Sequence, residues 1–174
     1  MNENLLFDFL DEHNVEYQLF EHQPVFTIDD NPVVTAVDGV KILSGKVPLP
    51  HFKTLFLRDK KGLFFLVSIT EEKHVDLKAL SVELGCNKFS FGKEKDLLDL
   101  LKLTPGSVTP YGLLFDQQKK VTFILDEDAL KNSTVGFHPL RNDMTIITSS
   151  KNFLMCMKKM EHQPHIVRIP LQKS

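Results

Sequence analysis

Three short stretches carry the residue types that acyl-group chemistry needs. The first is Leu103-Thr104-Pro105-Gly106-Ser107-Val108-Thr109-Pro110-Tyr111-Gly112. Pro105 and Pro110 have fixed φ and no N–H, so both ends of this stretch are stiff. Gly106 opens backbone conformations closed to other residues and lets the chain approach a ligand with no Cβ in the way. The amides of Gly106, Ser107 and Val108 are then free to point at one oxygen and stabilise an oxyanion. The plain alternative is a helix-to-strand connection with ordinary punctuation.

The second stretch runs Phe52-Lys53-Thr54-Leu55-Phe56-Leu57-Arg58-Asp59-Lys60-Lys61-Gly62. A lysine beside Phe52 at a strand entry, if partly desolvated, grips a phosphate or carbonyl oxygen, or titrates low enough for acid–base work. The competing reading is a surface lysine, the commonest fate of that residue. The third stretch is Gly136-Phe137-His138-Pro139-Leu140-Arg141-Asn142-Asp143-Met144-Thr145. His138 can donate, accept or titrate near neutrality, or it can bond backbone and hold its own loop. Asn142 and Thr145 read as braces of that loop.

Other chemistries find no pattern. His22, His51, His74 and His138 are scattered in sequence, and His162-Gln163-Pro164-His165 lacks a third ligand at metal spacing, so no metal is expected. Ser107 has no G-x-S-x-G context, and no phosphate-cradling loop is present. Cys86 and Cys156 are isolated, which argues against a zinc site or a disulfide framework and for a reducing, cytoplasmic setting. No cofactor is implied.

The elements that must position these stretches are legible in outline. Leu5, Leu6, Phe9, Leu10 and His13 share a helical face ended by Asn14, and Val15 to Phe20 reads as a strand. Thr27 with Asp30 resembles a helix start limited by Pro32, and Val40 to Leu43 a short strand in a loop-rich region. Thr54 to Arg58 and Leu63 to Ile69 read as a hairpin around Asp59-Lys60-Lys61-Gly62. Helices are expected over 76–84 and 93–101, the second with Leu97, Leu98 and Leu101 inward, and a short strand over 88–91. Tyr111 to Phe115 and Val121 to Leu125 read as a second hairpin. One helical turn at 126–130, a strand over 144–148, a helix capped by Ser149 or Ser150 and a last strand at 166–169 complete the pattern. The mixture predicts one α+β domain over residues 1–174, built on a mixed, mainly antiparallel sheet.

With 174 residues the chain is long enough for a sizeable core, and charged residues make up 25 %, as in ordinary globular proteins. No apolar run is long enough to span a bilayer, and the polar start Met1-Asn2-Glu3-Asn4 argues against a secretory signal. The net charge of −2 gives no bulk support for wrapping nucleic acid. Locally, Lys41, Lys46, Lys53, Arg58, Lys60 and Lys61 are offset only by Asp59, enough to meet a few phosphates or to form a solvated hairpin tip.

In order and spacing, the Lys53, Gly106 and His138 stretches together resemble the YbaK and prolyl-tRNA synthetase-associated domain family, over roughly residues 3 to 160. Its members are freestanding relatives of the editing insertion domain of bacterial prolyl-tRNA synthetase. The resemblance implies the family's fold and a trans-editing deacylase that hydrolyses mischarged tRNA(Pro), alanyl-tRNA(Pro) first, with cysteine or serine behind. It implies that Lys53 is the essential lysine and that Gly106 and His138 complete the reacting set. His138 would wall and orient the substrate rather than act as a general base. Phe26 and Thr27 would line the amino-acid pocket, although Phe26 reads equally well as core, with Thr54, Ser107, Val108 and Pro110 completing the substrate contacts. Arg58, Lys60 and Lys61 would contact the tRNA acceptor end, and prolyl-tRNA synthetase is a candidate partner. Many alanine-specific members carry Asn after the lysine; here Thr54 offers a shorter group with fewer donors. Two other readings remain: a non-catalytic module binding tRNA or synthetase, and an unrelated hydrolase, for which no nucleophile is visible.

Overall fold

The computed structural model describes residues 2–22 and 51–173. Its centre is the hairpin of β2 (Phe52–Arg58) and β3 (Phe64–Thr70), in register from Phe52↔Thr70 to Arg58↔Phe64. The turn is closed by its own aspartate. Asp59 is 3 % exposed, and its carboxylate accepts the Lys61 and Leu63 amides, each at 2.9 Å. Gly62 takes φ 84°, the left-handed region that suits glycine.

This hairpin sits in a five-stranded sheet of order β4-β2-β3-β5-β8, with β4 at Ser90–Phe91, β5 at Val121–Asp126 and β8 at His165–Val167. β4 pairs antiparallel with β2, whereas β5 runs parallel to both β3 and β8. A second sheet, of order β1-β7-β6, is antiparallel throughout: β1 at Gln18–Glu21, β6 at Thr134–Phe137 and β7 at Met144–Ser149. The α+β expectation therefore holds, with two sheets among the described residues in place of one.

The expected second hairpin does not form. Pro110–Phe115 is a 3-10 turn, with Pro110 at its start and the Thr109 hydroxyl accepting the Tyr111 amide. A capping threonine followed by a proline in the first turn outweighs the β-prone Tyr-Leu-Leu-Phe composition.

Strand alternation gives the five-stranded sheet two apolar faces. Phe56, Leu66, Phe123 and Leu125 face the larger core, together with Leu6 and Leu10 of α1 (Asn2–Glu12), Leu97 and Leu101 of α3 (Glu94–Leu101), and Phe153 of α4 (Ser150–Lys159). Leu57, Phe65, Val67, Ile69 and Ile124 face a smaller core under α2 (Leu77–Glu83). Leu5 and Leu98, expected inward, are 53 % and 50 % exposed. Each lies one position off the buried pair on its helix, Leu6 with Leu10 and Leu97 with Leu101. Two helix ends were legible: Ser149 accepts the Asn152 amide, and Asn14 follows α1 with φ 54°, whereas Asp76, expected inside its helix, caps it by accepting the Ala79 amide.

Candidate active site

The Gly106 stretch makes a tight turn. The Ser107 amide donates to the Thr104 carbonyl at 3.1 Å, and Gly106 takes φ 88°. Proline followed by a positive-φ glycine is the type II pattern. One expectation is thereby corrected, since the Ser107 N–H closes the turn and is not free for an oxyanion. Among the described residues, the Gly106 and Val108 amides have no hydrogen-bond acceptor. Gly106 is exposed, Val108 half-buried and Pro110 buried, and Val108 packs on the larger core. The turn thus presents two amides from a stiff, well-anchored support.

His138 lies just past β6. Its Nδ1 is 2.8 Å from the Met144 carbonyl oxygen. A carbonyl only accepts, so Nδ1 carries the proton, and in the neutral ring Nε2 is an acceptor. Burial lowers the His138 pKa below the ordinary histidine value; the Met144 carbonyl opposes this and His22 adds to it. The neutral form is therefore held at neutral pH. The His22 ring centre lies 6.0 Å away, and its Nε2 is 2.8 Å from the Thr145 hydroxyl. The Thr145 hydroxyl, expected to brace its own loop, thus bonds His22 just past β1. His51 also acts on His138 and pairs with Glu71 at 3.7 Å. The fold thus gathers His22, His51 and His138, which sequence spacing had scattered. No group of three metal-ligating side chains among the described residues could hold a metal ion. His162 is buried against Asp116 at 3.0 Å, while His165 is exposed on β8.

Lys53 is the second residue of β2, opposite Ile69, and is half-buried. Among the described residues its ammonium has no ion-pair or hydrogen-bond partner. Alternation places it on the face of Leu55 and Leu57, while Thr54 shares the other face with Phe52 and Phe56. The Thr54 hydroxyl bonds the Ser68 hydroxyl at 2.7 Å, and Phe52 packs on Phe137 with ring centres 5.0 Å apart. That contact joins β2 to the end of β6, next to His138. No hydrogen bond or ion pair among the described residues links Lys53, the Gly106 turn and His138 directly. Phe26 and Thr27 lie outside the described residues, as do Lys41, Lys46, the helix start at Thr27 and the strand over 40–43. Arg58, Lys60 and Lys61 sit at the other end of β2, with both lysines exposed.

Sequence reading missed Thr70. Its hydroxyl is buried with no hydrogen-bond partner among the described residues, opposite Phe52. Neither thiol is activated: both cysteines are free, burial pushes Cys156 up to about 12, and burial with Asp59 raises Cys86. Thiolate attack is thus disfavoured.

The profile of the aminoacyl-tRNA editing domain matches residues 30–155. The chain belongs to that family. It is 35 % identical over 150 residues to the prolyl-tRNA editing protein ProX of Acetoanaerobium sticklandii, covering 86 % of each chain. It is 32 % identical over 162 residues to the prolyl-tRNA synthetase associated domain-containing protein 1 of Danio rerio, covering 92 % of this chain and 83 % of that one. Among solved structures, a trans-editing enzyme candidate for prolyl tRNA synthetase superposes with TM-score 0.56 at 18 % identity, over 72 % of this chain and 71 % of that one. A crystallised hypothetical protein superposes with TM-score 0.67 at 14 % identity, over 97 % and 99 %. These two likenesses concern the fold. No helix among the described residues is long and apolar enough to cross a membrane.

Proposed function

We propose that the protein is a trans-editing deacylase that hydrolyses the ester between a wrong amino acid and tRNA(Pro). Membership of the aminoacyl-tRNA editing family, with 35 % identity to a prolyl-tRNA editing protein, carries this reading. Alanine is the first-choice amino acid, with cysteine and serine behind it. A proline pocket rejects the smaller alanine by only ~1–3 kcal/mol, so a second site must restore accuracy.

The ester is already activated, so positioning and charge stabilisation suffice. The Gly106 and Val108 amides receive the developing oxyanion. Lys53 anchors the terminal phosphate or the aminoacyl carbonyl. His138, neutral with Nε2 as acceptor, orients the substrate or the attacking water, and Thr54, Val108, Pro110, Phe26 and Thr27 bound the pocket. Ser107 contributes through the turn it closes. Arg58, Lys60 and Lys61 meet the tRNA, and prolyl-tRNA synthetase is the expected protein partner in a cytoplasmic setting.

The test is hydrolysis of alanyl-, cysteinyl-, seryl- and prolyl-tRNA(Pro) by wild type and Lys53→Ala. Selective release of alanine, lost in the variant, supports the assignment. Turnover unchanged by the substitution removes Lys53 from the reaction. Binding of tRNA with no release of any amino acid replaces the enzyme by a non-catalytic module.

A further inference from the structure

Phe91 is the one phenylalanine among the described residues that is exposed, at 65 %. The fold makes little use of its ring. Phe89, two residues earlier, is 5 % exposed and packs edge-on against Phe65 at 5.0 Å. Yet the backbone at Phe91 is held firmly. It pairs with Leu57, and the next amide, of Gly92, donates to the Phe56 carbonyl at 2.9 Å. A Cβ on Gly92 would come within 2.3 Å of the Phe56 ring, so the edge strand lies directly on β2.

The surroundings of this ring are basic. Ser90 is opposite Arg58, so the antiparallel register carries Lys88 toward Lys60 at the hairpin tip. Arg58 folds over Gly62, its guanidinium 3.7 Å from where a Cβ would stand. Lys60, Lys61, Lys88 and Lys93 are all exposed. The tip's own acid is withdrawn, because Asp59 is 3 % exposed and occupied by two amides. Asp59 and Lys61 both act on Cys86, which puts the α2–β4 connection beside the tip. Glu83 and Glu94 flank the patch at the ends of α2 and α3.

A rigidly held aromatic among cations is a stacking platform for a nucleic-acid base. We propose that the β2–β3 tip and the β4 edge bind the RNA substrate upstream of its reactive end, with Phe91 stacked on an unpaired base and Lys60, Lys61, Lys88 and Lys93 beside the phosphates. This rests on the deacylase reading. From Lys53 to Leu57, the residue paired with Phe91, the strand rises ~13 Å. Stacked nucleotides rise ~3.4 Å each, so the platform meets RNA about four nucleotides from the ester.

The experiment compares whole alanyl-tRNA(Pro) with alanyl-adenosine, an ester too short to reach the tip. Phe91→Ala should raise KM for the tRNA about five- to a hundred-fold, with kcat and alanyl-adenosine turnover unchanged, and Phe91→Tyr should restore KM. Lys60→Ala with Lys61→Ala should reduce the salt slope of tRNA binding by about one per lysine. An unchanged KM in Phe91→Ala, or an equal loss on alanyl-adenosine, overturns the proposal. If wild type hydrolyses neither ester, the deacylase reading fails. Binding of uncharged tRNA then decides the surface by itself: weaker binding by Phe91→Ala supports it, and equal binding, including the case where only a protein contact is lost, overturns it.

Discussion

The His138 ring donates from Nδ1 to the Met144 carbonyl oxygen at 2.8 Å, across the connection between β6 and β7. One bond thereby fixes the tautomer, the ring's direction and the span of the loop. It leaves Nε2 as the atom available to substrate or water, in a ring whose pKa burial holds low.

The acid limb of the rate should report that ring. Because the His138 pKa is lowered, the neutral form persists below the ordinary value near 6.5. The acid limb of kcat/KM should therefore fall below pH 6.5, and His138→Gln should remove it with a loss of about 10²-fold. Stability follows the same sign. As pH drops through 6.5 the unfolded chain binds the proton first, so wild type loses stability relative to His138→Gln until the lowered folded pKa is passed. Thermal melts of both proteins from pH 7.5 to 5 measure this, and parallel curves would remove His138 from the account.

Lys53→Ala should cost at least about 10²-fold in single-turnover deacylation of alanyl-tRNA(Pro). It should leave the melting temperature nearly unchanged, because the Lys53 ammonium has no ion-pair or hydrogen-bond partner among the described residues. A large drop in melting temperature would assign it a structural role.

Thr70→Val should stabilise the protein by about 1 kcal/mol in urea unfolding. The substitution keeps the shape and removes a buried hydroxyl that has no partner among the described residues. Destabilisation would mean that the hydroxyl is bonded in solution.

Asp116 joins more than its neighbours. Its carboxylate accepts the Lys120 and Val121 amides at 3.0 and 2.8 Å and meets His162 Nε2 at 3.0 Å, all close to the start of β5. Asp116→Ala strands these donors and should cost about 1–3 kcal/mol. A loss below about 1 kcal/mol in the same unfolding assay would contradict that accounting.

What the sequence revealed was local. The β2–β3 hairpin announced itself through Asp59-Lys60-Lys61-Gly62 between β-prone runs, and Gly106 took the positive φ that its place after Pro105 suggests. Ser149 and Asn14 were readable as helix ends because capping acts over three or four residues. What it concealed was set at a distance. Thr134–Phe137 is a four-residue strand whose partner lies beyond the His138 loop, and the apolar run over 121–125 finds parallel neighbours instead of a hairpin mate. The meeting of His22, Thr145 and His138 follows from strand pairing that spacing alone does not encode.

The parallel placement of β5 between β3 and β8 also sets a timetable. Ile124 waits for His165, some 40 residues later, and the buried Asp126 waits for the Ile169 amide. Until those residues leave the ribosome, the nascent chain must display one open strand edge over an apolar layer. Synthesis slowed between positions 126 and 165 should lengthen the chain's dependence on chaperones, while slowing before position 121 should leave it unchanged.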